Sequence, residues 1–581
     1  MSAFEIRKTR GGFAMKLWRG ERMCLLGFDV EKPEEDFVGF AIECREPGGK
    51  EFVPLRNRLA FSYDRAEGEQ VTGDRQFSSL AAPFQKFRWV HFPPEVKSGT
   101  YTYRATKMHM PQDNVLKKGT SLTATLSLEP VTYHGFVDVG FTRNFASSQA
   151  FREKLGNPKD IDAIGKTIIP ANADDGLTFK KTRPELYDWM GFEAYDLIFG
   201  LLDEALKDPK MSLDVLAYDF NEPDLLAQLE RLGKRLRIVL DDSAGHGDAN
   251  SPESQAARRL ETSAGLTNVR RTHFDNLQHH KVIIARRAGK PCKVLTGSTN
   301  FSFRGLYIQA NNALLFDDAD VAQLYAQMFE AAFTDPTTFD TTELASKWHL
   351  IAKPEFPPVR FCFSPHAKAD LSLTPIAGAV QQATSSVLYA VAFLYQMGKG
   401  LTKDQFDALM KRPVFSYGIS DKGGQLEVRK PDGSIGLVDF AYLAAHAPEP
   451  FKREWSGGKG INIHHKFVVT DFNLPTAKVF TGSSNLSPSG ETANGDHLIM
   501  IEDQRIATAF AIEALRIFDH LHFRSAMQDA KTSAPASTGE NSLKLKKPKA
   551  ISGEKRNWFE TSYFAGSQKM KDRLLFSGAG V

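Results

Sequence analysis

The 581-residue chain is 42% hydrophobic and 25% charged, an ordinary globular balance in a chain too long for one core, so three or four domain-sized units are expected. Four scattered cysteines (Cys24, Cys44, Cys292, Cys362) exclude a disulfide framework and a CxxC zinc site, and fit a reducing compartment. The net charge of +3 is uneven: from Arg524 onward eleven Lys and Arg face five Asp and Glu, net +6, so the first 523 residues sum to −3 and are no nucleic-acid binder by bulk charge.

The stretch from Met1 to Met23 lacks the apolar run of a signal peptide, and no run of about 18 apolar residues could span a bilayer. The expectation is a cytoplasmic protein without a transmembrane segment. Residues 1–150 read as β-rich: Phe37 to Cys44, Tyr101 to Thr106 and Leu122 to Leu128 are short apolar runs between Gly, Pro and Asp turns, spaced as in a β-sandwich. Residues 185–335 then alternate helices (Glu193 to Ala205, Asp224 to Leu232) with strands (Ser212 to Tyr218, Leu236 to Leu240). The same order restarts over residues 355–522, with strands at Val359 to Phe363, Ser386 to Phe393 and Val414 to Ile419, and helices at Leu373 to Ala383 and Lys403 to Met410. Residues 422–460 read as a Gly-rich, charged insertion. Residues 523–581 read as a basic linker and tail, flexible over 525–557, with an apolar end from Trp558 to Phe576 that is expected to dock.

A repeat ties the two α/β units together. His279-His-Lys281 followed by Gly297-Ser298-Thr-Asn300 recurs as His464-His-Lys466 followed by Gly482-Ser483-Ser-Asn485, every position offset by 185. The offset extends to Gly305 and Gly490, and to Asp318 and Asp503. Core patterning repeats apolar positions, whereas this repeat is polar. His and Lys at i and i+2 on a strand share a face, and each following strand ends in a Gly-Ser-x-Asn turn whose glycine lets the backbone approach a ligand. Two such halves facing each other offer two imidazoles within a cage of two Lys and two Asn. That set suits a phosphodiester: Lys and Asn hold phosphoryl oxygens, one neutral His attacks phosphorus, and the other, protonated, serves the leaving alcohol. Neither metal nor cofactor is expected, the two Lys taking the place of a metal clamp.

These motifs resemble the phospholipase D superfamily, whose signature is HxKxxxxD followed by GSxN. The second copy matches in full, with Asp471 at the acidic position; the first has Arg286 there. The resemblance covers residues 185–522. It implies an α/β fold of two similar mixed-sheet lobes, here preceded by the sandwich-like β-rich domain, with one site at their pseudo-twofold interface. It implies catalytic roles for His279, Lys281, Asn300, His464, Lys466 and Asn485, and a His-orienting carboxylate at Asp496, whose counterpart is Asn311. Asp471, Ser298, Ser483 and Asn311 are supporting residues, and Asp471 is implied to be structural. His279 is the implied nucleophile and His464 the general acid.

Phospholipid is the favoured substrate. A nuclease is the alternative, and a phosphatidyltransferase the third, disfavoured by the lack of membrane spans. An apolar approach surface for lipid could come from Phe301, Phe303, Leu306 and Tyr307, although these residues fit a core better; a basic groove for nucleic acid could come from Lys452, Arg453, Trp455 and Lys459, although these fit a solvated loop better. The basic tail is expected to contact polyanions or a membrane surface.

Overall fold

Strands Phe13–Arg19 and Cys24–Val30 are buried on both faces, and the architecture explains why. In the computed structural model, residues 3–63, 75–130, 133–155, 158–398, 400–422, 425–430, 435–439, 451, 462–533 and 544–580 are described. Four antiparallel strands (Glu5–Arg10, Phe13–Arg19, Cys24–Val30, Arg88–His91) form one sheet, and Lys117–Ser127, Thr100–His109, Phe37–Arg45 and Val53–Pro54 form another. Alternate side chains point to opposite faces. Phe13, Leu17, Leu26 and Phe28 therefore meet Phe40, Ile42 and Tyr103 of the other sheet, as the sandwich reading expects. Trp18 and Leu25 point the other way, into the core of the α/β lobes, where Trp18 meets Phe472 edge-on at 5.4 Å.

The first lobe is a seven-stranded mixed sheet in the order Val137–Phe141, Asn312–Phe316, Lys290–Gly297, Lys281–Arg287, Met211–Ala217, Leu236–Leu240, Val269–Arg271. The second has nine strands: His349–Ile351, Val359–Ser364, Asp496–Ile501, Lys478–Gly482, Lys466–Thr470, Ser386–Val391, Phe415–Lys422, Gln425–Arg429 and Ile435–Asp439. Val137–Phe141 pairs antiparallel with Asn312–Phe316 just as Val359–Ser364 pairs with Asp496–Ile501. The first lobe thus takes in a strand that the sequence reading left in the β-rich region ending at 150. A 24-residue helix, Pro184–Lys207, bends at Phe192, whose φ of 50° lies outside the helical range, so the periodicity starting at Glu193 caught only its second half.

Phe301, Phe303, Leu306 and Tyr307 are all buried, with the Tyr307 hydroxyl donating to Glu222. They are core rather than an approach surface. Lys452, Arg453, Trp455 and Lys459 lie outside the described residues. The tail docks from residue 544 onward, onto the sandwich and not as a free linker. Trp558 packs between Phe37 and Phe87, Arg573 pairs with Asp29, and the Trp18 indole donates to the Phe576 carbonyl at 2.8 Å. Among the described residues no helix is long and apolar enough to cross a membrane.

Candidate functional site

Each HxK motif opens the central strand of its lobe. Lys281–Arg287 and Lys466–Thr470 are buried between neighbouring strands, so the residues just before them are carried to the strand ends. The following strand of each lobe ends at Gly297 or Gly482, with φ of 137° and 140°. A Cβ there would lie 2.5 Å from the Asn312 carbonyl or 2.3 Å from that of His497. Only glycine permits this turn, which is why Gly begins both GSxN motifs.

The lobes are stitched together at these ends by backbone. The His279 amide donates to Gly495 O at 3.0 Å, and the His464 amide donates to Ala310 O at 3.1 Å. Gly495 and Ala310 donate back, to Leu277 O and Asn462 O, both at 2.8 Å. Each histidine thereby faces the other lobe's downstream residue. His279 Nδ1–H donates to Asp496 Oδ1 at 2.7 Å; His464 Nδ1–H donates to Asn311 Oδ1 at 2.9 Å and to the Ser298 carbonyl at 3.1 Å. The Asn311 amide nitrogen donates to Gly305 O, which fixes its oxygen toward His464. Ser483 and Ser298 donate to the same acceptors, Asp496 Oδ1 at 2.7 Å and Asn311 Oδ1 at 2.9 Å. With Nδ1 engaged, Nε2 is the ring nitrogen each histidine could offer to a ligand.

The lysines are held alike: Lys466 Nζ donates to His464 O at 2.8 Å, and Lys281 Nζ to His279 O. Lys281 also lies over the Tyr218 ring at 4.5 Å, and that ring packs edge-on against His279. Asn300 Nδ2 donates to Asp219 at 2.8 Å; among the described residues its buried oxygen has no partner, and neither does that of Asn485. Thus His279 with Asp496, and His464 with Asn311 and Ser298, are linked across the interface, while Lys281, Lys466 and Asn300 are tied within their own lobes.

Burial dominates the electrostatics. It lowers His279 to about 4, against the opposing pull of Asp496, and lowers Lys281 to about 7. His464 is pushed well below the usual histidine range by burial and then by Lys466 and Lys281. Lys466 is depressed by burial and by Lys281. Asp496 goes the other way: burial alone would raise it, but His279, Lys281 and the Ser483 hydroxyl hold it below the usual carboxylate range. Burial thus disfavours the charged forms of the two lysines and two imidazoles, and an anion beside them would favour those forms.

Asp471 lies away from this cluster, at the far end of Lys466–Thr470. Its carboxylate accepts from the amides of Thr384, Ser385 and Ser386 at 2.7–3.2 Å. In the first lobe Arg286 does a different job at the matching place, joining Asp214 at 2.5 Å and Glu330 at 3.0 Å beside Arg237. Asp318 and Asp503, the last repeated pair, accept amides at helix starts.

Sequence reasoning passed over a second layer beneath the site. His280 Nδ1 lies 3.1 Å from His497 Nδ1, and His497 Nε2 lies 2.6 Å from Thr296 Oγ1. The other half pairs His465 with Asn312 at 3.3 Å and with Glu513 at 3.3 Å. Asn312 and His497 are themselves 185 apart, a signal open to the repeat search. Tyr218 and Asp219 follow a strand with no such mark.

Fold and site together define a two-lobed protein with one His-Lys pair from each lobe at a pseudo-twofold interface. Residues 202–333 match the family model described as "Cardiolipin synthase, PLD-like domain". That stretch is similar to the phospholipase D-like family which the two motifs resemble. It is 28% identical over 150 residues to the mitochondrial cardiolipin hydrolase of Xenopus laevis, a match covering 25% of this chain and 66% of that protein, just under two thirds of its length. The Xenopus tropicalis protein of the same name is 28% identical over 152 residues, with the same 25% and 66% coverage. Among solved structures, the phospholipase D family member Nuc from Salmonella typhimurium is 24% identical, with a TM-score of 0.19 over 23% of this chain and 86% of Nuc. The phosphatidylserine synthase of Haemophilus influenzae aligns at 12% identity and a TM-score of 0.40, covering 55% of this chain and 84% of that one.

Proposed function

We propose that the protein is a metal-independent phosphodiesterase that hydrolyses a phosphodiester, preferentially of a phospholipid, through a phosphohistidine on His279. The observation that carries the reading is the crossed pairing of His279 with Asp496 and of His464 with Asn311. In the first step the His279 Nε2 lone pair attacks phosphorus and the bond to the leaving alcohol breaks. His464 Nε2–H gives that alcohol its proton. In the second step water attacks phosphorus, its proton passes to His464, and the P–N bond breaks to restore neutral His279. A phosphorylated imidazole is a cation, and only His279 has a carboxylate to balance it. That asymmetry supports His279 as nucleophile and His464 as general acid. Lys281, Lys466, Asn300 and Asn485 hold the phosphoryl oxygens, and the entering anion offsets the burial that disfavours the charged forms of the lysines and His464. Asp496, Asn311, Ser298 and Ser483 position the rings, while Asp471 stays a structural residue.

Phospholipid is favoured over nucleic acid because the sequence relatives are named as cardiolipin hydrolases and the matching family model as cardiolipin synthase. The test is turnover of cardiolipin and phosphatidylcholine vesicles and of single- and double-stranded DNA, each with excess EDTA. Undiminished lipid cleavage in EDTA is expected. Strong EDTA inhibition reversed by a divalent ion overturns the mechanism, and cleavage of DNA alone overturns the substrate. Acid quench followed by peptide mapping is expected to place the phosphoryl label on His279; a label on His464 reverses the two roles.

A further inference from the structure

The sandwich and the docked tail enclose a cavity of about 440 Å³ far along the chain from both HxK motifs. Five cations line it: Lys86 from the sandwich, and Lys544, Lys546, Arg556 and Lys569 from the tail. No carboxylate is among its lining residues. Lys546 is matched by Glu554 at 3.2 Å and Lys86 by Asp519 at 3.5 Å. Lys544, Arg556 and Lys569 have no ion pair among the described residues. Like charges gathered in one concavity repel one another, and in a chain whose total is only +3 this cluster is a strong local excess. Trp89 and Trp558 form its apolar wall. The nearby Phe564 is 45% exposed, with the Arg556 guanidinium 5.3 Å from its ring.

The geometry points to a binding site for a compact polyphosphate head group, through which the protein docks on an anionic phospholipid surface. Several phosphates in one small volume answer several cations in one small volume. An exposed phenylalanine and indoles beside basic side chains suit an interface that is apolar on one side and charged on the other. A nucleic-acid strand fits less well. It needs a track of free cations, whereas in the adjoining cavity Arg88 is paired with Asp519 and Asp572. The site is independent of the catalytic reading, because none of its residues belongs to the His-Lys cluster.

The test uses the full chain carrying His279→Ala, to prevent turnover. Binding is measured to inositol hexakisphosphate in solution and to vesicles containing a phosphorylated phosphatidylinositol. Both are expected to bind, more weakly as salt rises. Lys544→Ala with Lys569→Ala is expected to weaken both at least tenfold, whereas Lys8→Ala with Lys32→Ala, the same charge change elsewhere on the surface, leaves them within twofold. Phe564→Ser is expected to weaken vesicles alone, which separates a lipid-bound head from a soluble one. In a His279 background, hydrolysis of a small soluble diester is expected to be unchanged by the tail substitutions. Failure of both ligands to bind, equal losses in the control pair, or tighter and equally variant-sensitive binding of a single-stranded oligonucleotide would each overturn the proposal.

Discussion

The two lobes share a strand order and a polar repeat, yet differ at the positions that matter most to their histidines. The second lobe sends a carboxylate, Asp496, to the first lobe's His279; the first sends a neutral amide, Asn311, to the second lobe's His464. They differ again at the strand ends, where Asp471 gathers three backbone amides and Arg286 joins a cluster of buried Asp214, Arg237 and half-exposed Glu330. The first difference concerns the chemistry and the second the scaffold. Both copies keep their Lys and Asn, while the groups behind the rings diverge, as the proposed division into nucleophile and acid requires.

The sharpest way to break this comparison is to remove each ring in turn. His279→Ala and His464→Ala should each lower kcat by roughly 10³-fold or more, and the double variant by scarcely more than the worse single one, because both serve one reaction. With a diester whose leaving group is a good one, such as p-nitrophenolate, His464→Ala should release a burst of about one equivalent per site and then stall at the phosphohistidine, whereas His279→Ala should give no burst. Equal bursts from both would remove the division into nucleophile and acid.

Exchanging the orienting groups is the next test. Asp496→Asn should cost on the order of 10²-fold in kcat, since the ring keeps a partner but its cation loses a balancing charge. Asn311→Asp should raise the proton affinity of His464 and shift the pH profile of kcat upward. If neither substitution moves the profile, the crossed pairing is structural only.

The scaffold difference should appear in urea unfolding. Asp471→Ala strands three amides at the start of Ser386–Val391 and should cost about 2–4 kcal/mol. Arg286→Ala should cost about 1 kcal/mol or less, because Arg237 remains on Asp214 and Glu330 is half exposed. A larger loss at Arg286 would reverse the ranking.

The smallest effect is a proton count. Lys281 sits at about 7 in the empty site through burial, and an anion beside it favours the charged form. At pH 8 a phosphate analogue such as tungstate should therefore bind with net uptake of a fraction of a proton to about one proton, read by calorimetry in buffers of different ionisation enthalpy. The uptake should fade below pH 6, where Lys281 is already charged. Binding without uptake at pH 8 would mean that the lysine is charged throughout.

Much of the molecule was written locally. Strand Leu236–Leu240 and helix Pro223–Leu232 fall where periodicity put them, because a buried strand and an amphipathic helix are fixed by neighbours two to four residues away. The histidines, lysines, GSxN turns and their pseudo-symmetry were legible because a polar repeat at constant spacing has no packing explanation. Three things came only from the folded chain. Phe301, Phe303, Leu306 and Tyr307 face inward, since an apolar run looks the same to a sequence reader in a core or on a lipid surface. The tail returns across more than 500 residues to cover Phe37 and bind Asp29, a contact no local pattern encodes. The sequence named Asp496 and Asn311 but left open which ring each one serves. The crossing of the lobes decided it, because only the backbone bonds between His279 and Gly495 and between His464 and Ala310 bring each ring within 3 Å of the other lobe's side chain.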